Sequence, residues 1–146
     1  MKAAHALVQD EVGESRIGLD ALARWHGVAC PGEGLRTGAW AFAKGGAERY
    51  SGDPQGLQKR FLWLGEAPPL PRALRTYLDI LFFHPFTDGN SRAARLAFHY
   101  LSALGGLEFR TVDPLFRLSL PAGNVRAYTL FQDLAGRLLE GPAPSL

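Results

Sequence analysis

Residues 84–95, which read His-Pro-Phe-Thr-Asp-Gly-Asn-Ser-Arg-Ala-Ala-Arg, hold the side chains best suited to chemistry. A turn rich in Asp, Gly and Asn that leads into a helix leaves backbone N–H groups unpaired at the helix N-terminus, where they favour an anion. Arg92 and Arg95 lie three residues apart and therefore share one face of that helix. Because cations are unfavourable at a helix N-terminus, this pair predicts a bound polyphosphate.

Two further side chains of this segment have suitable chemistry. Asp88 offsets part of the positive charge and is a candidate ligand for Mg²⁺, which prefers hard oxygen atoms. His84, at the opposite end of the turn, can accept a proton near neutral pH, so it is a candidate general base for a hydroxyl that attacks the phosphate. The alternative is an ordinary turn between helices, in which Asp88 caps a helix, the arginines are solvated and His84 packs.

The elements that must position this segment are predicted to be helices. Asp53-Pro54 begins one over about 54–64, and the prolines at 68–71 permit another that ends near His84, because the residue before Pro85 is driven out of the helical region. The apolar spacing that follows predicts a helix over about 90–104. Weaker patterns predict helices over 4–12 and 19–26, a short one after Asp113-Pro114 and a C-terminal one over about 121–139.

One stretch indicates strand. Residues 39–43 alternate large and small side chains and lead into Lys44-Gly45-Gly46-Ala47, a plausible hairpin turn. A two-stranded ribbon is marginal alone in water, so it must lie on the helical body.

The composition agrees with a helical core. The chain has 146 residues, with 23 Leu and 20 Ala against 5 Val and 2 Ile, which predicts an all-α fold in one domain over 1–146. Cys30 has no second cysteine to pair with, and no apolar run approaches the roughly 18–20 residues of a membrane span. The net charge of +2 argues against nucleic acid as the main partner. Without an apolar leader the chain is expected to be cytoplasmic, although a secreted effector with another kind of signal remains open.

Residues 84–95 resemble the signature of the Fic family, His-x-Phe-x-(Asp/Glu)-Gly-Asn-Gly-Arg-x-x-Arg, and match it at all but one of its defined positions. Residues 34–38 are similar to the start of the family's flap hairpin, and residues 124–128 to its C-terminal helix. The resemblance covers about residues 31–140. It implies a compact Fic-fold helical bundle with a flap over about 36–50 and a catalytic loop over 84–92.

The function that the resemblance implies is transfer of AMP from ATP, with Mg²⁺, to a Ser, Thr or Tyr hydroxyl of a target protein. In that reading His84 deprotonates the hydroxyl and Asp88 binds Mg²⁺. Phe86 anchors the loop in the core. The nucleotide is held by the loop and the helix after it, namely by Gly89, Asn90, Ser91, Arg92 and Arg95. The flap would pair with a segment of the target through its first residues, Arg36, Thr37, Gly38, Ala39 and Trp40.

Ser91 departs from the signature, since members that transfer AMP usually have Gly there. In the related Doc branch a Lys in this position accompanies an inverted nucleotide and transfer of the γ-phosphate, but Doc also has Ala where this chain has Gly89. AMP transfer is therefore favoured. The alternatives are a Doc-like protein kinase and a non-catalytic nucleotide-binding module of a toxin–antitoxin pair.

Two further expectations concern an inhibitory segment and further catalytic or metal-binding histidines. The inhibitory pattern (Ser/Thr)-x-x-x-Glu of many family members is absent from the sequence, so restraint would come from a separate antitoxin-like partner, from oligomerisation, or not at all. His26 and His99 are expected to be partly buried or surface residues without a catalytic role, and no spacing of Cys, His and Asp suggests zinc.

Overall fold

The computed structural model describes residues 1–13, 16–36, 40–42, 48–51, 53–118 and 125–140. Within them helices dominate, which confirms the all-α prediction. The elements in chain order are α1 (Lys2–Glu11), α2 (Leu19–Ala29), β1 (Trp40–Phe42), β2 (Glu48–Ser51), α3 (Pro54–Leu64), α4 (Pro69–Phe83), α5 (Asn90–Leu104), α6 (Asp113–Phe116) and α7 (Val125–Leu138).

The helix ends follow local chemistry. Asp53 caps α3, since its Oδ1 accepts a hydrogen bond of 2.8 Å from the Gln55 N–H, and Pro54 occupies the first helical position. α4 begins within the proline stretch and ends at Phe83, one residue before His84. α2 continues three residues beyond the predicted end at His26, because Gly27 lies on its exposed face and Cys30 packs inward.

α4 and α5 form the centre of the molecule and make the most extensive contact between any two described elements. Their joint core includes a cluster of rings that ties the C-terminal elements to α4: Tyr77 lies 5.4 Å from Phe116 and 5.8 Å from Phe131, measured between ring centroids. The two N-terminal helices, α1 and α2, also pack on α5. The connection between α4 and α5, residues 84–89, is therefore held against the helical body.

The two strands form an antiparallel ribbon between α2 and α3 in sequence. Trp40 pairs with Ser51 and Ala41 with Tyr50, and the register shifts after Ala41. β2 contacts α4. Both strands lie inside the predicted flap, whereas the predicted turn over 44–47 and the flap residues Thr37, Gly38 and Ala39 lie outside the described residues, as do 121–124 of the predicted C-terminal helix.

Across the described ranges, no helix combines the length and the apolar character needed to cross a bilayer.

Candidate active site

His84 lies where α4 ends, in a left-handed backbone conformation. Its φ is 52°, and it is the one non-glycine residue with a positive φ in the part of the chain that the structure describes. Its N–H donates to the Ile80 carbonyl at 2.9 Å, and Pro85 prevents the helix from continuing. This turn leaves the imidazole at the end of α4, half-buried, with Nδ1 3.4 Å from the Leu81 carbonyl oxygen.

Arg36 holds the end of α4 beneath His84. Its Nε donates to the His84 carbonyl and its Nη2 to the Phe83 carbonyl, both at 2.7 Å. Its backbone N–H donates to the Pro85 carbonyl at 2.8 Å. A guanidinium at a helix C-terminus satisfies open carbonyl groups and is favoured by the helix dipole. Partial burial lowers the pKa of Arg36 from its usual value.

The structure therefore places the Arg36 side chain against the end of α4, where the loop 84–89 begins. Docking of a target by this residue stays a prediction.

Phe86 fixes the centre of the loop. Its side chain is 1% exposed, and its backbone forms a bridge with Leu35. Asn90, also buried, binds both polar groups of the Phe86 backbone: Oδ1 accepts from the Phe86 N–H at 2.9 Å, and Nδ2 donates to the Phe86 carbonyl at 3.0 Å. The Asn90 amide thus keeps one N–H donor and one lone pair of its oxygen for a ligand. Its contact with a phosphate stays a prediction.

The loop ends at Gly89, and α5 begins without a cap. Gly89 has a φ of 77°, and no side chain accepts a hydrogen bond from the first N–H groups of α5. The Ala93 N–H donates back to the Gly89 carbonyl at 3.0 Å, so the N–H groups of Asn90, Ser91 and Arg92 lie at the open end of the helix. This arrangement favours an anion.

Arg92 adds positive charge near that end, and Arg95 follows three residues further along α5. Arg92 lies 3.9 Å from Asp88, measured from Nη2 to Oδ2, and both side chains are largely exposed, so this ion pair is weak. The Arg95 guanidinium lies 5.3 Å from the centre of the Phe116 ring. Its Nε is buried and has no hydrogen-bond partner among the described residues. A buried N–H donor without an acceptor is costly, and an anionic ligand would satisfy it.

Asp88 suits a cation that arrives with its ligand. Its carboxylate is 71% exposed, beside the open end of α5. No group of three His, Cys, Asp or Glu side chains that could hold a metal occurs among the described residues. Mg²⁺ is commonly held by one or two carboxylates together with substrate phosphates and water, so a single exposed carboxylate fits that ion.

Below the loop lie two residues whose part in the site the sequence did not reveal. His26, on α2, is more deeply buried than expected. Its Nε2 lies 2.7 Å from the Asp88 carbonyl oxygen, and its ring stacks on Phe86. A Cβ added at Gly89 would overlap Cys30 Sγ and lie 3.1 Å from His26 Nε2. The only signal in the sequence is that His26 continues the buried stripe of α2, seven residues after Leu19.

A strap, residues 33–36, closes the other side of the loop. The Thr87 hydroxyl donates to the Glu33 carboxylate, and the Thr87 N–H donates to the Gly34 carbonyl at 3.0 Å. With the bridge between Leu35 and Phe86 and the Arg36 contacts, each residue of the strap contacts the segment 83–87. The loop is therefore held by α2 below and by the strap at its side.

Comparison with known families gives one match. The sequence model of the Fic/DOC family matches residues 3–102, a range that contains all but the first residue of α1, the elements from α2 to α4, the loop and most of α5. A comparison with curated proteins returns no match.

Proposed function

This chain belongs to the Fic/DOC family, which is known for nucleotide transfer, and on that premise we propose that it transfers AMP from ATP to a Ser, Thr or Tyr hydroxyl of a target protein. The observation that carries the proposal is the open N-terminus of α5. Its first N–H groups are uncapped, Arg92 lies near Asp88 at that end, and Arg95, three residues further along the helix, keeps a buried Nε without a hydrogen-bond partner among the described residues. This end of α5 is suited to several negative charges, as a triphosphate supplies them.

The reaction follows from the two ends of the loop. His84 takes the proton from the target hydroxyl, whose oxygen attacks the α-phosphorus of ATP. A bond forms between that oxygen and the phosphorus, and the bond from the phosphorus to the oxygen bridging to the β-phosphate breaks, which releases pyrophosphate. Arg92 and Arg95 compensate the charge that develops on this leaving group. Asp88 would hold Mg²⁺, which when bound would neutralise part of the negative charge of the phosphates.

Gly89 supports the orientation of ATP that gives AMP transfer. In the Doc branch, which transfers the γ-phosphate, Ala stands in this position and Lys in the position of Ser91. An alanine is disfavoured here by the contact with Cys30 and by the positive φ. Ser91 is exposed on the first turn of α5, and its small, uncharged side chain leaves room for phosphate.

The target is proposed to bind along the ribbon. Within the described ranges each strand pairs with the other, and an extended peptide can pair with the outer edge of a strand through main-chain hydrogen bonds. β1 begins four residues after Arg36, and Arg36 is bound to the end of α4. A peptide that pairs with the ribbon would therefore lie close to His84. Thr37, Gly38, Ala39 and Trp40 are the proposed contacts.

The experiment uses ATP labelled either at the α- or at the γ-phosphate, added with the purified protein to a lysate. We expect α-label on protein, reduced at least about 100-fold in His84→Ala, the size of a lost general base. Arg92→Ala and Arg95→Ala should both weaken ATP binding. Arg126→Ala, which removes an exposed arginine of α7, is the matched control and should leave the labelling unchanged.

The other outcomes are equally informative. Label from the γ-phosphate alone would identify a kinase, and ATP binding without any labelling would identify a nucleotide-binding module. If α-labelling persisted unchanged in His84→Ala, the assignment of the base would be wrong.

A further inference from the structure

We propose that His26 is a positioning residue of the catalytic loop, which fixes the peptide between Asp88 and Gly89 so that the Gly89 N–H points toward the bound phosphates. The inference deepens the proposed function and rests on it for the identity of the ligand. It assigns a role to a side chain of α2, far in sequence from the loop.

His26 is held rigidly below the loop. Its side chain is 1% exposed, and its ring lies parallel to that of Phe86, with centroids 3.7 Å apart and planes 6° from each other. Phe86 is itself fixed by Asn90. The stack sets the plane of the imidazole, and in that plane Nε2 lies 2.7 Å from the Asp88 carbonyl oxygen.

The contact determines which ring nitrogen carries the proton. A carbonyl oxygen only accepts hydrogen bonds, so Nε2 must be the donor. Nδ1 is buried without a hydrogen-bond partner among the described residues. A proton there would be an unpaired buried donor, so Nδ1 is better left bare. His26 is therefore expected as the Nε2–H tautomer.

The hydrogen bond controls the next N–H group. In a trans peptide the C=O and the following N–H point in opposite directions. With the Asp88 oxygen drawn down to α2, the Gly89 N–H points away from α2, to the side where α5 opens. Glycine readily adopts other backbone conformations, so a peptide beside Gly89 is prone to flip unless it is held. His26 supplies that restraint.

Two substitutions separate the hydrogen bond from packing. His26→Phe keeps a ring that can stack on Phe86 but has no donor, whereas His26→Gln places an N–H donor at the position of Nε2 and gives up the ring. We expect hydrogen–deuterium exchange of residues 84–92 to accelerate about tenfold in His26→Phe, as for loss of one hydrogen bond, and to stay within about threefold of the wild type in His26→Gln. The KM for ATP should rise more in His26→Phe than in His26→Gln, and kcat should change less than KM in both variants.

A packing role predicts the reverse order, because phenylalanine preserves the stack and glutamine does not. Near-wild-type exchange in His26→Phe with fast exchange in His26→Gln would overturn the proposal. Thermal unfolding of both variants checks that they fold. If either does not, the tautomer decides: nitrogen NMR of the wild-type His26 ring should show a protonated Nε2 and a bare Nδ1, and the opposite tautomer would also overturn the proposal.

The exchange and NMR readouts need neither ATP nor a target. Failure of AMP labelling with the expected order of exchange would therefore remove the proposed function and leave the positioning role. If AMP labelling occurred but exchange were faster in His26→Gln than in His26→Phe, the proposed function would stand and the positioning role would be removed.

Discussion

Replacing Gly89 by alanine tests how closely the catalytic loop approaches α2. The added Cβ would overlap Cys30 Sγ and lie 3.1 Å from His26 Nε2. Gly89 also has a φ of 77°, which L side chains rarely adopt. The substitution is thus opposed by a steric contact and by backbone strain at the same residue.

The two effects have separate magnitudes. A non-glycine residue in the left-handed region costs about 1–2 kcal/mol, and an extra carbon forced into a packed interior costs about 1–3 kcal/mol. Gly89→Ala should therefore lower the free energy of unfolding by roughly 2–5 kcal/mol. Gly106 is the matched control, since its φ is 70° but a Cβ there would meet nothing within 4 Å. Gly106→Ala should show the backbone strain alone, about 1–2 kcal/mol.

Urea unfolding of these variants measures both terms. The contact is isolated by repeating Gly89→Ala in a Cys30→Ala background, where the overlapping sulfur is gone. We expect the cost of the alanine to fall there by about 1–3 kcal/mol, the packing contribution. ATP binding should be lost in Gly89→Ala and retained in Gly106→Ala. Equal costs at the two glycines, or no relief in the Cys30→Ala background, would refute the close approach of the loop to α2.

Three further predictions concern single side chains. Arg36→Ala removes both guanidinium bonds to the end of α4 and should lower kcat about tenfold or more, because His84 is displaced. Arg36→Lys cannot bind two carbonyls with a planar fork, so it should not restore kcat in steady-state kinetics. Ser91→Gly should leave transfer of α-label unchanged or increase it, and a switch to γ-label would contradict the proposed ATP orientation. Burial, then His5 and Arg95, lowers the pKa of His99 to about 4 from 6.5. The unfolded chain therefore takes up this proton first, and stability falls as the pH drops from 6.5 to 4; urea midpoints should fall less in His99→Gln over that range.

The helix ends were predictable because their causes are local. Asp53 caps α3 through a residue two positions away, and Pro85 ends α4 by restricting its own neighbour. α2 was predicted too short, since the glycine at position 27 weakens the helical pattern. Cys30, just after the end of α2, packs close to Gly89, a contact across 59 residues that the local pattern does not reveal.

The part of the candidate site that lies in one short segment could be predicted from the sequence. His84, Asp88 and Arg92 stand within nine residues, so their types and spacing suffice to indicate phosphate chemistry. The supports could not be found in this way. His26 reaches the loop across 62 residues, and Arg36 reaches the end of α4 across 48. Such pairings are set by how the helices pack, and the residue types alone do not reveal them.

The division between segment and supports has a consequence for the order of folding. α4, the loop and α5 are consecutive in the chain and pack on each other, so we expect their contacts to form early. The hydrogen bond from His26 and the bonds from Arg36 close much larger loops, and we expect them to form later. During refolding, helical signal should therefore return before ATP binding does, and the delay between the two measures the docking of the N-terminal elements onto a helical pair already formed.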